Sequence, residues 1–178
     1  MPNDIKSLFK KNKTALLFLV KFFGVYGIFT FLYSLYLGAY PNTIDPFSAV
    51  VAEQTNITIG FFQEGLWLKY LDDTPRVLMM HYYHPYQAIV EGCNALSVMI
   101  LFVAFIVAFK APAYHYFWYI PFGLFTLHAF NIIRITFLGL SYLHYPEFAK
   151  TLHDYAFPAV IYAVTMGLWF IWVKYIIK

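Results

Sequence analysis

The sequence predicts an all-α integral membrane protein: a helical bundle of about four transmembrane helices, with an extracytoplasmic region between the first two. Three observations predict it. Apolar side chains make up 61% of the 178 residues and charged ones only 12%, whereas a soluble domain carries about 25% charged residues and about half apolar ones. Four apolar segments come near the roughly 20 residues that a helix needs to cross a bilayer. The lysines that flank these segments fall at alternate ends, so with four crossings they collect on one side. The length suits one domain, residues 1–178. The net charge of +3, without a polar stretch of clustered basic and aromatic residues, argues against nucleic-acid binding. A single cysteine, Cys93, excludes an internal disulfide and a thiolate metal cluster.

The first span covers residues 14–39 and holds one charge, Lys21, near its start. Its basic leader resembles that of a signal peptide. The apolar stretch is too long for a signal core, however, and Leu37 occupies a position that should be small before Ala39. It reads as an uncleaved anchor. Residues 40–92 form the outer region. There "DPFSAVVAEQ" reads as a short helix, with Asp45 as cap and Pro46 in its first turn, and "LDDTP" reads as a turn. "NITIGFFQEGLWLKYL" reads as a re-entrant or interfacial helix, given Trp67 and Tyr70. "RVLMMHYYHPYQAIV" has the aromatic and branched content of a strand, although "YQAIV" also serves to extend the next helix. "NIT" at Asn56 matches a glycosylation sequon, a pattern common by chance. The second span is residues 93–109, without a charge. The third is residues 114–143, with Arg134 inside and Pro121 predicting a kink. The fourth is residues 154–175, with Pro158 in its first turn.

Charge sets the orientation. Lys6, Lys10, Lys11 and Lys13 precede the first span, Lys110 follows the second, and Lys174 and Lys178 end the chain. The positive-inside rule makes that side the cytoplasm. Asp45, Glu53, Glu64, Asp72, Asp73, Glu91, Glu147 and Asp154 all fall on the other side, and only Asp4 is inside. Both termini are expected in the cytoplasm.

An ionisable side chain within a membrane helix is expensive and usually faces protein or water, which singles out Arg134. Helical rise gives its depth. Cys93 lies 17 residues before Lys110, or roughly 25 Å. Arg134 lies 21 residues after Ala113 and His153 lies 21 before Lys174, each roughly 31 Å. Three helices thus carry a thiol, a guanidinium and an imidazole to nearly one height, at the outer edge of the hydrocarbon layer.

That trio suits acyl transfer. The thiolate is the attacking form of cysteine. A histidine takes the thiol proton and returns it to a leaving amine. An arginine stays charged and donates paired hydrogen bonds to an oxyanion. Supporting positions fit around them. Asn131, three residues before Arg134, is placed to hold the guanidinium. Glu91 and Asp154 lie at the same boundary, placed to orient His153 or Arg134. Neighbouring helix residues point apart, so Asp154 is not expected to touch His153 directly. Plainer readings stand beside these: Cys93 as a small core residue, Arg134 snorkelling to headgroups, His153 as an interfacial cap. His81 and His84 compete for the role of base. His144 is outside, His115 lies near the cytoplasm, and His128 sits about 9 Å below Arg134 as a structural residue. "HYYH" lacks a third ligand, so no metal or other cofactor is expected. From the residues alone the alternatives are a non-catalytic membrane assembly protein and a thiol-based acyltransferase drawing on a lipid-linked acyl group.

"EGCNALSV", "NIIRI" and "LHDYAFP", in that order and at outer helix ends, resemble the three signature regions of the exosortase/archaeosortase family. The similarity is greatest to the small exosortase F type, and it covers most of the chain from about Glu91 onward. It implies a cysteine protease-transpeptidase in the bacterial cytoplasmic (inner) membrane, with its active site at the outer face. The implied partners are exported proteins whose C-terminal sorting signal joins a motif, an apolar helix and a basic tail. The new carboxyl end would pass to an acceptor such as a lipid or a glycan. Residue by residue, Cys93 matches the nucleophile, Arg134 the arginine of an N-x-x-R motif, and His153 the third member. Many exosortases carry Ser-Gly after the cysteine, where this chain has Asn94 and Ala95. It is also shorter than many of them, with fewer apparent crossings.

Overall fold

The computed structural model describes residues 12–177, and these are mostly helical. Lys6, Lys10, Lys11, Asp4 and Lys178 lie outside the described residues. Helix α1 is Lys13–Gly38, and none of its residues is buried by protein. Such a helix, apolar all round, needs lipid as its solvent. It touches the bundle through Phe18, whose ring meets those of Phe105 and Phe109 at 5.7 and 4.8 Å. Helix α2 is Pro46–Gly60. Asp45 caps it by accepting a 3.0 Å hydrogen bond from the Ser48 N–H, with Pro46 in the first turn. Tyr36 of α1 donates its hydroxyl to the same carboxylate at 3.0 Å, tying the two helices together.

A three-stranded antiparallel sheet follows, in the order β1 (Leu66–Tyr70), β2 (Arg76–His81), β3 (His84–Val90). This amends the all-α expectation for residues 66–90. Leu66 pairs with His81 and Arg76 with Val90, with a bulge between Met79 and Met80. Neither the interfacial helix nor the helical extension through "YQAIV" forms. Alternation decides against them: Gln87 and Ile89 point into protein while Ala88 and Val90 stay exposed, the period of a strand.

Helix α3 is Leu96–Ala108, and α4 is Ala113–His144, which runs on as helix through Pro121. Residues Pro146–Ile176 form one long helical stretch. It comprises α5 (Pro146–Thr151), a π-helical turn at Leu152–Ala156, α6 (Phe157–Ile171) and a second π-helical turn at Trp172–Ile176. Three of these, Lys13–Gly38, Ala113–His144 and Pro146–Ile176, are long and apolar enough to cross a membrane, as the helices of a membrane protein are; α3 is a shorter apolar helix.

Two cores divide the labour. One joins α3, the first half of α4, α6 and the π-helical turn that follows it through Phe102, Tyr119, Leu127, Leu168 and Trp172. The other joins α2, the sheet and the later half of α4 through Val51, Ile59, Met79, Ile89 and Ile135. Helix α4 belongs to both. At 32 residues it is about 48 Å long, more than the roughly 30 Å hydrocarbon layer requires. Its C-terminal part is therefore free to carry the second core, against which Cys93 packs.

Candidate active site

Between β3 and α3 the chain makes a tight 3-10 turn, Glu91–Cys93, and then starts a new helix within three residues. Asn94 makes this reversal work. Its Oδ1 accepts a 2.8 Å bond from the Leu96 N–H, which satisfies one of the free amides at the start of α3. Its Nδ2 donates to the Ser48 hydroxyl at 3.0 Å and to the Tyr33 hydroxyl at 3.2 Å. One buried amide thereby ties the cysteine turn to α1 and α2. Ala95 completes the turn in the left-handed region, at φ +61°.

Asn131 holds the same turn from the other side. Its Nδ2 donates a 2.7 Å hydrogen bond to the backbone carbonyl of Cys93. This corrects the expectation that Asn131 braces the guanidinium of Arg134. The carbonyl of a residue in a tight turn lacks a helical partner, and the fully buried amide of Asn131 supplies one.

Cys93, Arg134 and His153 line one cavity of about 340 Å³. They arrive from three elements: the turn before α3, the later half of α4, and the π-helical turn before α6. Cys93 and Arg134 are half-buried, and His153 is exposed. Among the described residues no carboxylate pairs with Arg134, and its buried Nε has no hydrogen-bond partner. A guanidinium left unpaired in such a place is a ready donor to an anion.

His153 Nδ1 lies 2.9 Å from Asp154 Oδ1, with 54% and 44% of the two side chains exposed. The expectation that adjacent residues point apart fails here. Leu152–Ala156 winds as a π-helix, wider than an α-helix, and both side chains lean to the same open side. A carboxylate only accepts, so it places the ring proton on Nδ1 and leaves the Nε2 lone pair free. Glu91 is exposed and is not among the residues that line the cavity.

Two of the other histidines, His81 and His128, have partners elsewhere. His81 bonds Gln63 at 3.0 Å and pairs with His84 at the closed end of the β2–β3 hairpin. His128 Nε2 lies 2.6 Å from Gln54 Oε1, beside a second, apolar cavity of about 590 Å³.

Sequence reasoning missed Tyr86, Gln87 and Tyr142, which also line the cysteine cavity. For Tyr86 and Gln87 the signal was the alternation of "HPYQAIV", which ends three residues before Cys93. Burial raises the Tyr86 phenol above its ordinary value, so it stays a neutral donor. Its hydroxyl and the Gln87 Oε1 are buried without a partner. No family model, curated protein or solved structure matches the chain.

Proposed function

We propose that the chain is a membrane-embedded cysteine protease-transpeptidase, as its resemblance to the exosortases implies. One observation carries the reading: a thiol, an unpaired guanidinium and a carboxylate-bound imidazole from three separate elements share one cavity. A non-catalytic assembly protein does not require a half-buried Arg134 that, among the described residues, pairs with no carboxylate, because such a group costs stability.

The chemistry is acyl transfer. The thiol proton of Cys93 passes to Nε2 of His153, and Sγ attacks the carbonyl carbon of the scissile peptide. Arg134 donates to the resulting oxyanion. The C–N bond breaks, the amine leaves with the proton from His153, and a thioester remains on Cys93. An amine, hydroxyl or water then attacks the thioester and gives its proton to His153. The thiolate leaves, and Cys93 is restored. Asp154 keeps the ring in the tautomer that this cycle needs.

The substrates in this reading are exported proteins that end in a motif, an apolar helix and a basic tail. The chain crosses the bacterial inner membrane four times, through α1, α3, α4 and α6, with both termini in the cytoplasm and the cavity at the outer face. The lysine distribution supports that orientation. The test is co-expression with such a protein encoded by the same organism. Cleavage at the outer side is expected, with a peptidyl adduct on Cys93 by mass spectrometry. Unchanged processing by Cys93→Ala overturns the covalent mechanism.

A second reading, acyl transfer from a lipid-linked donor, draws on the apolar cavity of about 590 Å³. Leu96, three residues beyond Cys93, lines it together with Phe29 and Met99. A fatty acyl adduct on Cys93 in place of a peptidyl one selects this reading.

A further inference from the structure

We propose that the segment of substrate preceding the scissile bond binds as an added strand along the free edge of β3. The inference rests on the nucleophilic role proposed for Cys93, and deepens it by stating how a peptide is presented.

Strand β3 is an edge strand. Its only neighbour in the sheet is β2. Among the described residues, no backbone–backbone hydrogen bond joins Tyr86, Gln87 or Ala88 to anything beyond β2. Pro85 is at home on such an edge, because proline cannot donate to a second ladder. An unpaired row of N–H and C=O groups is a template for an extended chain.

The cavity lies between this strand and α4, whose Ile135, Leu138 and Tyr142 line its other side. Tyr86, Gln87 and Ala88 all line it. Successive side chains of a strand point to opposite faces. Three consecutive residues therefore meet one cavity only where the cavity runs beside the strand, against its backbone. The strand then leads into the turn that carries Cys93, in the same cavity.

The polar groups there lack partners. Gln87 is 8% exposed, lines the cavity, and its Oε1 has no hydrogen bond, as is true of the Tyr86 hydroxyl. A buried amide oxygen without a donor is costly, and a peptide N–H supplies one. The span from Tyr86 to Ala88 is about 7 Å, the length of about two to three extended residues. Since β3 runs toward Cys93, residues upstream of the scissile bond lie parallel to it. Downstream residues are left to continue as the apolar helix.

The full chain in detergent micelles tests this with three reagents for Cys93. They are iodoacetamide, a library of tripeptidyl chloromethyl ketones randomised at all three side chains, and the same library with N-methylated backbone amides. The tripeptidyl library is expected to alkylate Cys93 at least about tenfold faster than the N-methylated one, the loss of one or two hydrogen bonds. Gln87→Leu is expected to slow the tripeptidyl library and leave iodoacetamide unaffected. N-methylation of the probe leaves the protein's folding untouched. Equal rates for the two libraries, with iodoacetamide still reacting, overturn strand addition alone. A Cys93 inert to all three reagents overturns the nucleophile as well.

Discussion

The side-chain amide of Asn131 donates a 2.7 Å hydrogen bond to the backbone carbonyl of Cys93. Helix α4 thereby fixes the turn that carries the thiol, and three residues later the same helix presents Arg134 to the same cavity. The thiol and the guanidinium thus share one rigid support. Asn131→Ala strands a turn carbonyl and is expected to destabilise the fold by about 1–3 kcal/mol. Asn131→Asp sets a carboxylate against that carbonyl and is expected to cost more. Thermal unfolding in detergent measures both, and equal stability of all three chains would falsify the support role.

The catalytic assignment separates by residue type. Cys93→Ala is expected to abolish processing of a sorting-signal substrate. Arg134→Lys keeps the charge but loses the planar fork, and a fall of roughly 10²–10³-fold is expected if it serves an oxyanion. His153→Ala is expected to reduce the rate by roughly 10²–10⁴-fold. Asp154→Asn should cost about tenfold, because its pair with His153 is open to water. An Arg134→Lys chain as active as the parent removes the oxyanion role.

Ala95 is the residue whose backbone least suits its side chain. At φ +61° an alanine is strained by about 1–2 kcal/mol, and glycine is not. Glycine at this position, the arrangement of many exosortases, is what the turn asks for. Against the entropy lost on ordering glycine, Ala95→Gly is expected to gain up to about 1 kcal/mol. A lower melting temperature for this variant would show that the strain is absorbed elsewhere.

What the sequence made legible follows from what its solvent demands. The span around α4 is readable because a bilayer requires a long unbroken apolar helix. The meeting of Cys93, Arg134 and His153 at one cavity is reachable by counting helical rise from the lysines. Strand β3 was hidden because "YQAIV" adjoins an apolar run, and short apolar stretches suit helix and strand alike. The Asn131 bond was hidden because its acceptor is a backbone carbonyl, whose direction depends on a turn. The His153–Asp154 contact was hidden because it depends on one π-helical turn, for which the residue pattern gives no sign.

High pH tests the burial of Tyr86 and Tyr70. Burial raises both phenols, and Tyr70 is raised further by the Glu53 carboxylate that accepts its hydrogen bond. Unfolded, both titrate near about 10. The folded state keeps these protons where the unfolded chain has released them. Their contribution is complete below about pH 10 and is lost as pH rises toward the folded values. The unfolding midpoint is therefore expected to hold from about pH 7 to 9 and fall above about pH 10. Tyr86→Phe should fall less steeply. A slope unchanged by that substitution assigns the loss to other groups.

Two glycines on α4 predict unequal outcomes for one methyl group. A Cβ on Gly123 meets the ring of Phe102, which is fully buried in the core between α3 and α4. The ring has nowhere to turn, so Gly123→Ala is expected to cost about 1–3 kcal/mol. A smaller residue at Phe102 should recover part of that loss in the double variant. A Cβ on Gly139 comes 2.6 Å from Ile59 Cδ1 and 2.7 Å from Gln87 Oε1, both ends of flexible side chains. Ile59 is fully buried, but its terminal methyl and the unbonded Gln87 Oε1 can each turn about a side-chain bond, so Gly139→Ala should cost less than Gly123→Ala. Gln87 then moves within the cavity beside Cys93, and alkylation by tripeptidyl chloromethyl ketones should slow while iodoacetamide reacts as before. If Gly139→Ala instead unfolds the chain and Gly123→Ala does not, the rigid contact lies at the sheet and not between the apolar helices.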